Sequence, residues 1–213
     1  MASDITTPDI DIPAIVARGN RLTQAFYERP TPTVASELIG KALLHRVDGH
    51  WLGGWIVETE AYLDRRDPAS HSARGKTASN ASMFATAGTL YVYPIHAKFC
   101  LNAVTQLSGE GAAVLVRAVE PVWGIAMMQR HREKDDLHLL ARGPAMICQS
   151  LRINRQDDGR DLTADIHLGI FDSSSAIRRR IESTRRIGIS KATHRKLRFI
   201  DRDSKYLSRG RQK

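Results

Sequence analysis

Two runs of β-forming residues, Ala42 to Val47 and Leu52 to Glu60, flank the dipeptide Asp48-Gly49. Asp-Gly between such runs is a strong hairpin signal, because a tight hairpin turn needs residues that tolerate positive φ. This feature constrains the fold most: it makes neighbouring strands antiparallel and disfavours a doubly wound parallel sheet. Further strand candidates are Thr89 to Tyr93, Ala112 to Val119, Ile166 to Phe171 and Arg186 to Ile189. Val122 to Arg132 and Ala145 to Leu151 read as helices, with Gly143-Pro144 breaking the chain between them. Thr31-Pro32 predicts a short helix with Thr31 as N-cap and Gly40 as its stop. The expected fold class is α+β around one mainly antiparallel sheet. With 213 residues, the chain suits one domain with a sizeable core. Residues 1–20 read as a loosely ordered leader, 21–200 as the domain and 201–213 as a basic C-terminal tail.

The charge is unevenly placed. From Arg178 to Lys213 there are 14 of the 32 Lys and Arg but only 3 of the 23 Asp and Glu. Basic charge gathered in this way suits a phosphate backbone as partner; a solvated basic tail is the plainer alternative. No apolar run approaches the ~18 residues of a membrane helix, and the first 25 residues carry no secretory pattern. Two cysteines, Cys100 and Cys148, make no disulfide framework, which points to a reducing cytoplasm.

Several stretches could carry chemistry. Glu58-Thr59-Glu60 puts two carboxylates at i and i+2, on one face of a strand, next to Tyr62. Such a pair can seat a general base whose pKa the second acid or a nearby cation tunes, although two solvated glutamates on an exposed strand would look the same. Residues 64–88 read as a long loop, which in a compact domain is usually functional. It holds His71 and a Gly75-Lys76-Thr77 that imitates the end of a phosphate loop, but Ser70 stands where the first glycine is required. Thr89 to Asn102 reads as a hairpin with its turn near Ile95 to Lys98; Tyr91 and Tyr93 share one face, suited to base stacking or to cross-strand packing. His and Cys lack metal-ligand spacing, so no metal is expected.

In their order along the chain, these blocks closely resemble the alkyladenine (3-methyladenine) DNA glycosylase family. The matching blocks are Glu58-Thr59-Glu60-Ala61-Tyr62, His71, Met83-Phe84, Gly88 to Tyr93, Cys100-Leu101-Asn102, Val114 to Pro121, Gly143-Pro144, Cys148 to Leu151 and Arg186 to Ile189. The resemblance covers roughly residues 23–200. It implies a single compact α+β domain around a mainly antiparallel, curved sheet with flanking helices and a protruding β-hairpin. It implies a base-excision-repair enzyme without metal or organic cofactor; a monomer is the default, because an enzyme acting on one lesion has no need of two-fold symmetry. Such an enzyme binds double-stranded DNA, flips alkylated and also deaminated purines out, and hydrolyses the N-glycosidic bond to leave an abasic site. Its location would be cytoplasmic in a bacterium and nuclear in a eukaryote. By the resemblance, Glu60 is the general base and Arg117 helps hold the water and the carboxylate. Tyr62, His71 and Tyr93 wall the base pocket, Asn102 sits at its floor and disfavours guanine, and His96 is the DNA wedge.

The family usually has Tyr-Gly at the wedge turn, where this chain has His96-Ala97. Ala penalises positive φ, so an altered turn is expected, and Pro94 suits an edge strand. Two other readings stay open on sequence: a non-catalytic nucleic-acid-binding module and a hydrolase of free nucleosides.

Overall fold

The computed structural model describes residues 12–172 and 179–208. Residues 1–11 of the expected leader and 209–213 of the expected tail lie outside them. The architecture is one α+β domain built on an open antiparallel sheet of eight strands. The strands are β1 Ala42–Val47, β2 His50–Tyr62, β3 Leu90–Ile95, β4 Lys98–Thr105, β5 Ala112–Trp123, β6 Leu168–Phe171, β7 Ile181–Thr184 and β8 Arg198–Asp201. The helices are α1 Ala14–Ala17, α2 Gln24–Tyr27, α3 Thr31–Glu37, α4 Ile125–Arg132 and α5 Pro144–Ser150.

The main path runs β3-β4-β5-β2-β1-β6, with β8 joining β2 to β7. As Asp48-Gly49 predicts, β1 and β2 form a hairpin, with Val47 opposite His50 and Ala42 opposite Trp55. Beyond Trp55, β2 outruns β1, and β8 pairs with Glu58, Thr59 and Glu60 instead. Gly53 and Gly54 let β1 and β5 close on β2: a Cβ would meet Leu43 O at 1.9 Å or Glu120 O at 1.8 Å. Register shifts beside Glu58 on the β5 side mark bulges, which re-aim side chains.

Strand alternation divides the sheet into two faces. Leu90, Val92, Leu101, Ala103, Val114, Val116 and Ala61 belong to the main core, together with Leu38, Met128 and Ile147 from the helical layer. Thr59 Oγ1 points to that side too and donates to Ala35 O at 2.7 Å. The intervening residues Tyr91, Tyr93, Asn102, Arg117, Glu58, Glu60 and Tyr62 are therefore carried to the other face.

The edge strand β3 is covered rather than open. The Val92 N–H donates to Asp158 Oδ1 at 2.7 Å, Arg155 donates to Val92 O, and the Gly159 N–H donates to Leu90 O. This protects the edge and fixes the strand that bears both tyrosines. The β3–β4 hairpin ends in an exposed tip. His96 and Ala97 have φ of 46° and 60°, so the turn places alanine in the left-handed region that glycine favours.

Several local expectations are corrected. The helix expected from Val122 starts at Ile125, because Val122 and Trp123 finish β5 and Gly124, at φ 66°, separates strand from helix. Thr31 is the first helical residue rather than a cap, and its hydroxyl bonds Thr105 at 2.9 Å. Arg186 to Ile189 is a loop, with its Ile187 N–H given to a carboxylate instead of a strand partner. The 64–88 segment contains two short 3₁₀ helices, His71–Arg74 and Ala78–Phe84. Strands β7 and β8 are additions to the sequence reading. The boundary expected at residue 200 falls inside β8, and Ser208 is 8% exposed against the sheet.

Candidate active site

Antiparallel register sets the site out as a row across one sheet face. Tyr91 lies opposite Asn102, Asn102 opposite Leu115, Leu115 opposite Glu60, and Glu60 opposite Arg198. One step along, Arg117 reaches both glutamates of β2. Glu58 and Glu60 are each 0% exposed, yet their surroundings differ.

Glu58 is saturated. Its Oε1 accepts from Arg117 Nε at 2.9 Å, Arg198 Nε at 2.7 Å and Ser208 Oγ at 2.8 Å, and its Oε2 accepts from the Ser208 N–H at 2.6 Å. Burial alone would raise its pKa; Arg117, Arg198 and the Ser208 amide outweigh it and hold the carboxyl below the ordinary value. Glu60 has weaker company. Its Oε1 accepts from the Ile187 N–H at 2.7 Å, and its Oε2 from the Tyr62 hydroxyl at 2.8 Å and Arg117 Nη1 at 3.3 Å. Here burial wins over those donors and pushes the carboxyl up. Two carboxylates two residues apart thus have opposite proton affinities, the pattern expected of a structural anion beside a proton acceptor. Burial would lower Arg117, but the two glutamates outweigh it and keep the guanidinium charged.

Tyr62 separates Glu60 from a cleft of about 950 Å³ lined by Tyr62, His71, Met83, Tyr91, Tyr93 and Asn102, with Arg65, Arg74 and Lys191 also on its wall. The His71 ring meets Tyr93 edge-on at 4.4 Å between centroids, and its Nδ1 shares a 2.9 Å hydrogen bond with the Tyr91 hydroxyl. Desolvation against this wall, then Arg74, lowers the His71 pKa and favours neutral imidazole. Asn102 Nδ2 donates to Tyr91 O at 3.0 Å, which fixes the amide. Among the described residues, no group of three or more His, Cys, Asp or Glu side chains could hold a metal ion.

The inner face of Tyr62 is covered by Arg186, whose guanidinium carbon lies 4.7 Å from the ring centroid. Arg186 makes a bidentate pair with Asp67 at 2.6 and 2.9 Å and also donates to Ala61 O at 3.0 Å. The pair ties the 64–88 loop to the loop that offers its Ile187 amide to Glu60.

The structure therefore brings Glu60, Arg117, Tyr62, His71, Tyr93 and Asn102 together. His96 stands apart at the exposed hairpin tip, with Pro94 and Ile95 of the same hairpin on the cleft wall. Residue reading missed Asp67, Arg198 and Ser208, and it took Arg186 and Ile187 for strand. Their only signal was the Arg186 to Ile189 block, which periodicity mistook for a strand.

The family model for methylpurine-DNA glycosylase (MPG) matches residues 25–205. A relative from Rhodopirellula baltica is 48% identical over 192 residues, covering 88% of this chain and 82% of its own. One from Methanoculleus marisnigri is 45% identical, covering 88% of this chain and 98% of its own. One from Prosthecochloris aestuarii is 40% identical, covering 89% and 91%. All three bear the name "Putative 3-methyladenine DNA glycosylase". These matches displace the readings as a non-catalytic binding module and as a free-nucleoside hydrolase: the chain belongs to the methylpurine-DNA glycosylase family and is a DNA glycosylase, a hydrolase of N-glycosyl bonds.

Proposed function

We propose that this chain, acting as a monomer, excises 3-methyladenine and related alkylated purines from duplex DNA. The damaged nucleotide would be flipped into the cleft and its N-glycosidic bond hydrolysed by water that Glu60 activates. The observation that carries this reading is Glu60: a buried carboxylate of raised pKa, hydrogen-bonded to the hydroxyl of Tyr62, which itself lines a cleft with aromatic walls.

The chemistry asks little of the protein. A purine made cationic by alkylation leaves readily, so what remains is to position a water. Water entering at Glu60 takes the place of the Tyr62 hydroxyl on Oε2. One water proton passes to Glu60 as the oxygen bonds the anomeric carbon. The electron pair of the breaking glycosidic bond returns to the purine ring and neutralises it. Arg117 steadies the carboxylate and the developing hydroxide. Tyr62, His71 and Tyr93 hold the base, and a cationic ring against an aromatic face gains about 0.5–2 kcal/mol. Asn102, with its amide fixed on Tyr91 O, opposes the exocyclic amino group of guanine. The same cavity accepts a deaminated purine, whose neutral ring leaves more slowly.

Flipping costs a few kcal/mol, least for damaged or poorly paired bases. His96 at the exposed tip offsets part of this by filling the vacated stack, and Ile95, 42% exposed beside it, adds apolar surface. Arg65, Arg74 and Lys191 suit flanking phosphates.

The test is excision from a duplex carrying one 3-methyladenine, read as alkali-labile strand scission. Glu60→Gln should lower single-turnover excision by about 10²–10⁴-fold and still bind the lesion duplex. Retained turnover would refute the assignment of the base.

A further inference from the structure

We infer that Glu58 is a positioning residue for the glycosylase reaction: it draws Arg117 away from Glu60, so that Glu60 stays basic enough to take the proton. The inference rests on the reading of Glu60 as general base. It starts from an asymmetry in how Arg117 is shared. The guanidinium gives its shorter contact, Nε at 2.9 Å, to Glu58, and its longer one, Nη1 at 3.3 Å, to Glu60. A third group, Nη2, is held by Ser208 Oγ at 3.2 Å. Arg117 therefore cannot turn its fork onto Glu60 in the bidentate pair that binds a carboxylate most strongly.

A general base needs a compromise. Without a cation nearby, a buried carboxyl would be protonated at working pH; fully paired with one, it would accept no proton. Glu58 supplies the compromise because it is itself anchored by four donors from three segments. Arg117 comes from β5, Arg198 from β8, and Ser208 contributes both its amide and its hydroxyl from the C-terminal segment. The groups facing Glu60 are Glu58 and Tyr62 on β2, Arg117 on β5, Arg198 opposite it on β8, and the Ile187 amide with neighbouring Arg186 from the 185–190 loop.

Charge changes at two of these predict opposite effects. In Glu58→Gln, Arg117 is released to Glu60, Arg198 loses its carboxylate partner, and the Glu58 repulsion on Glu60 disappears. All three changes favour ionised Glu60 and weaken it as a base. In Arg198→Gln, a cation opposite Glu60 is lost and Glu58 leans harder on Arg117. Both changes make Glu60 harder to ionise.

The experiment measures single-turnover excision from a 3-methyladenine duplex across the mildly acid to neutral range, with Glu60→Gln alongside. Glu58→Gln should move the acid limb of the rate profile down by about half a pH unit or more and lower the plateau by up to about threefold per half unit. Arg198→Gln should move the limb up. A residue that only stabilises the fold would change the active fraction and leave the limb in place. Limbs that stay put, or that move the same way in both variants, would overturn the inference. If Glu58→Gln fails to fold, Arg198→Gln, whose side chain is 13% exposed, decides alone: an upward shift supports the inference and no shift overturns it. An active Glu60→Gln would instead remove the general-base reading and this inference with it; an inactive one with unmoved limbs removes this inference only.

Discussion

Replacing Asp67 by Asn should be among the most destabilising single changes in the chain. Asp67 and Arg186 have side chains 0% exposed and meet through two short contacts. Asp67 also accepts from the Leu63 and Ala69 amides, each at 3.2 Å. Asparagine keeps the shape but turns an NH₂ toward the guanidinium, leaving a buried cation uncompensated. Breaking a buried pair from one side costs about 3–5 kcal/mol. Urea unfolding at neutral pH measures it, and the double variant Asp67→Asn with Arg186→Met should recover part of the loss, because the orphaned charge is gone. The pH dependence has a definite sign. Burial would raise the Asp67 pKa, but Arg186 and the backbone amides outweigh it and hold it below the ordinary aspartate value. The contribution of the pair is therefore complete above the unfolded-state pKa and is lost as pH falls through the lower folded-state pKa. An Asp67→Asn variant within about 1 kcal/mol of the parent, or a larger loss on adding Arg186→Met, would refute the role of the buried pair.

Two further changes test other parts of the site. Tyr62→Phe removes a donor to ionised Glu60 in the free enzyme, worth about 1.5 kcal/mol or one pH unit, so the acid limb of kcat/KM, which reports the free enzyme, should move up; a limb of kcat/KM unmoved or shifted down would contradict the 2.8 Å hydrogen bond to Glu60. Ala97→Gly relieves a left-handed L-residue at φ 60° and should stabilise the chain by about 1 kcal/mol in urea unfolding, whereas any destabilisation would contradict the strained turn.

Much of the fold was legible because it follows from local chemistry. Asp48-Gly49 set the β1–β2 hairpin, and alternation along β3 and β4 put Tyr91, Tyr93 and Asn102 on one face. The C-terminal strands were not legible: β7, with Ile181, Glu182 and Ser183 exposed, lacks a periodic signal, and β8 pairs with residues about 140 positions earlier in sequence. The candidate site was legible as an ordered set of residue types, and register explains why Glu60, Asn102 and Arg117 converge.

Apart from the family resemblance, which points to Glu60, the residue pattern could not tell the two glutamates apart. Glu58 and Glu60 are the same residue type, two positions apart on one strand face, and no local pattern distinguishes them. Their difference comes from distant partners: Arg198 and Ser208 on Glu58, the Ile187 amide on Glu60, and Arg117 shared unequally between them. The sequence by itself determined a paired-acid strand in an antiparallel α+β domain of this family. The tertiary structure surrounds one acid with four donors and leaves the other with a raised pKa, because a buried carboxylate takes its charge state from the donors that the fold brings to it.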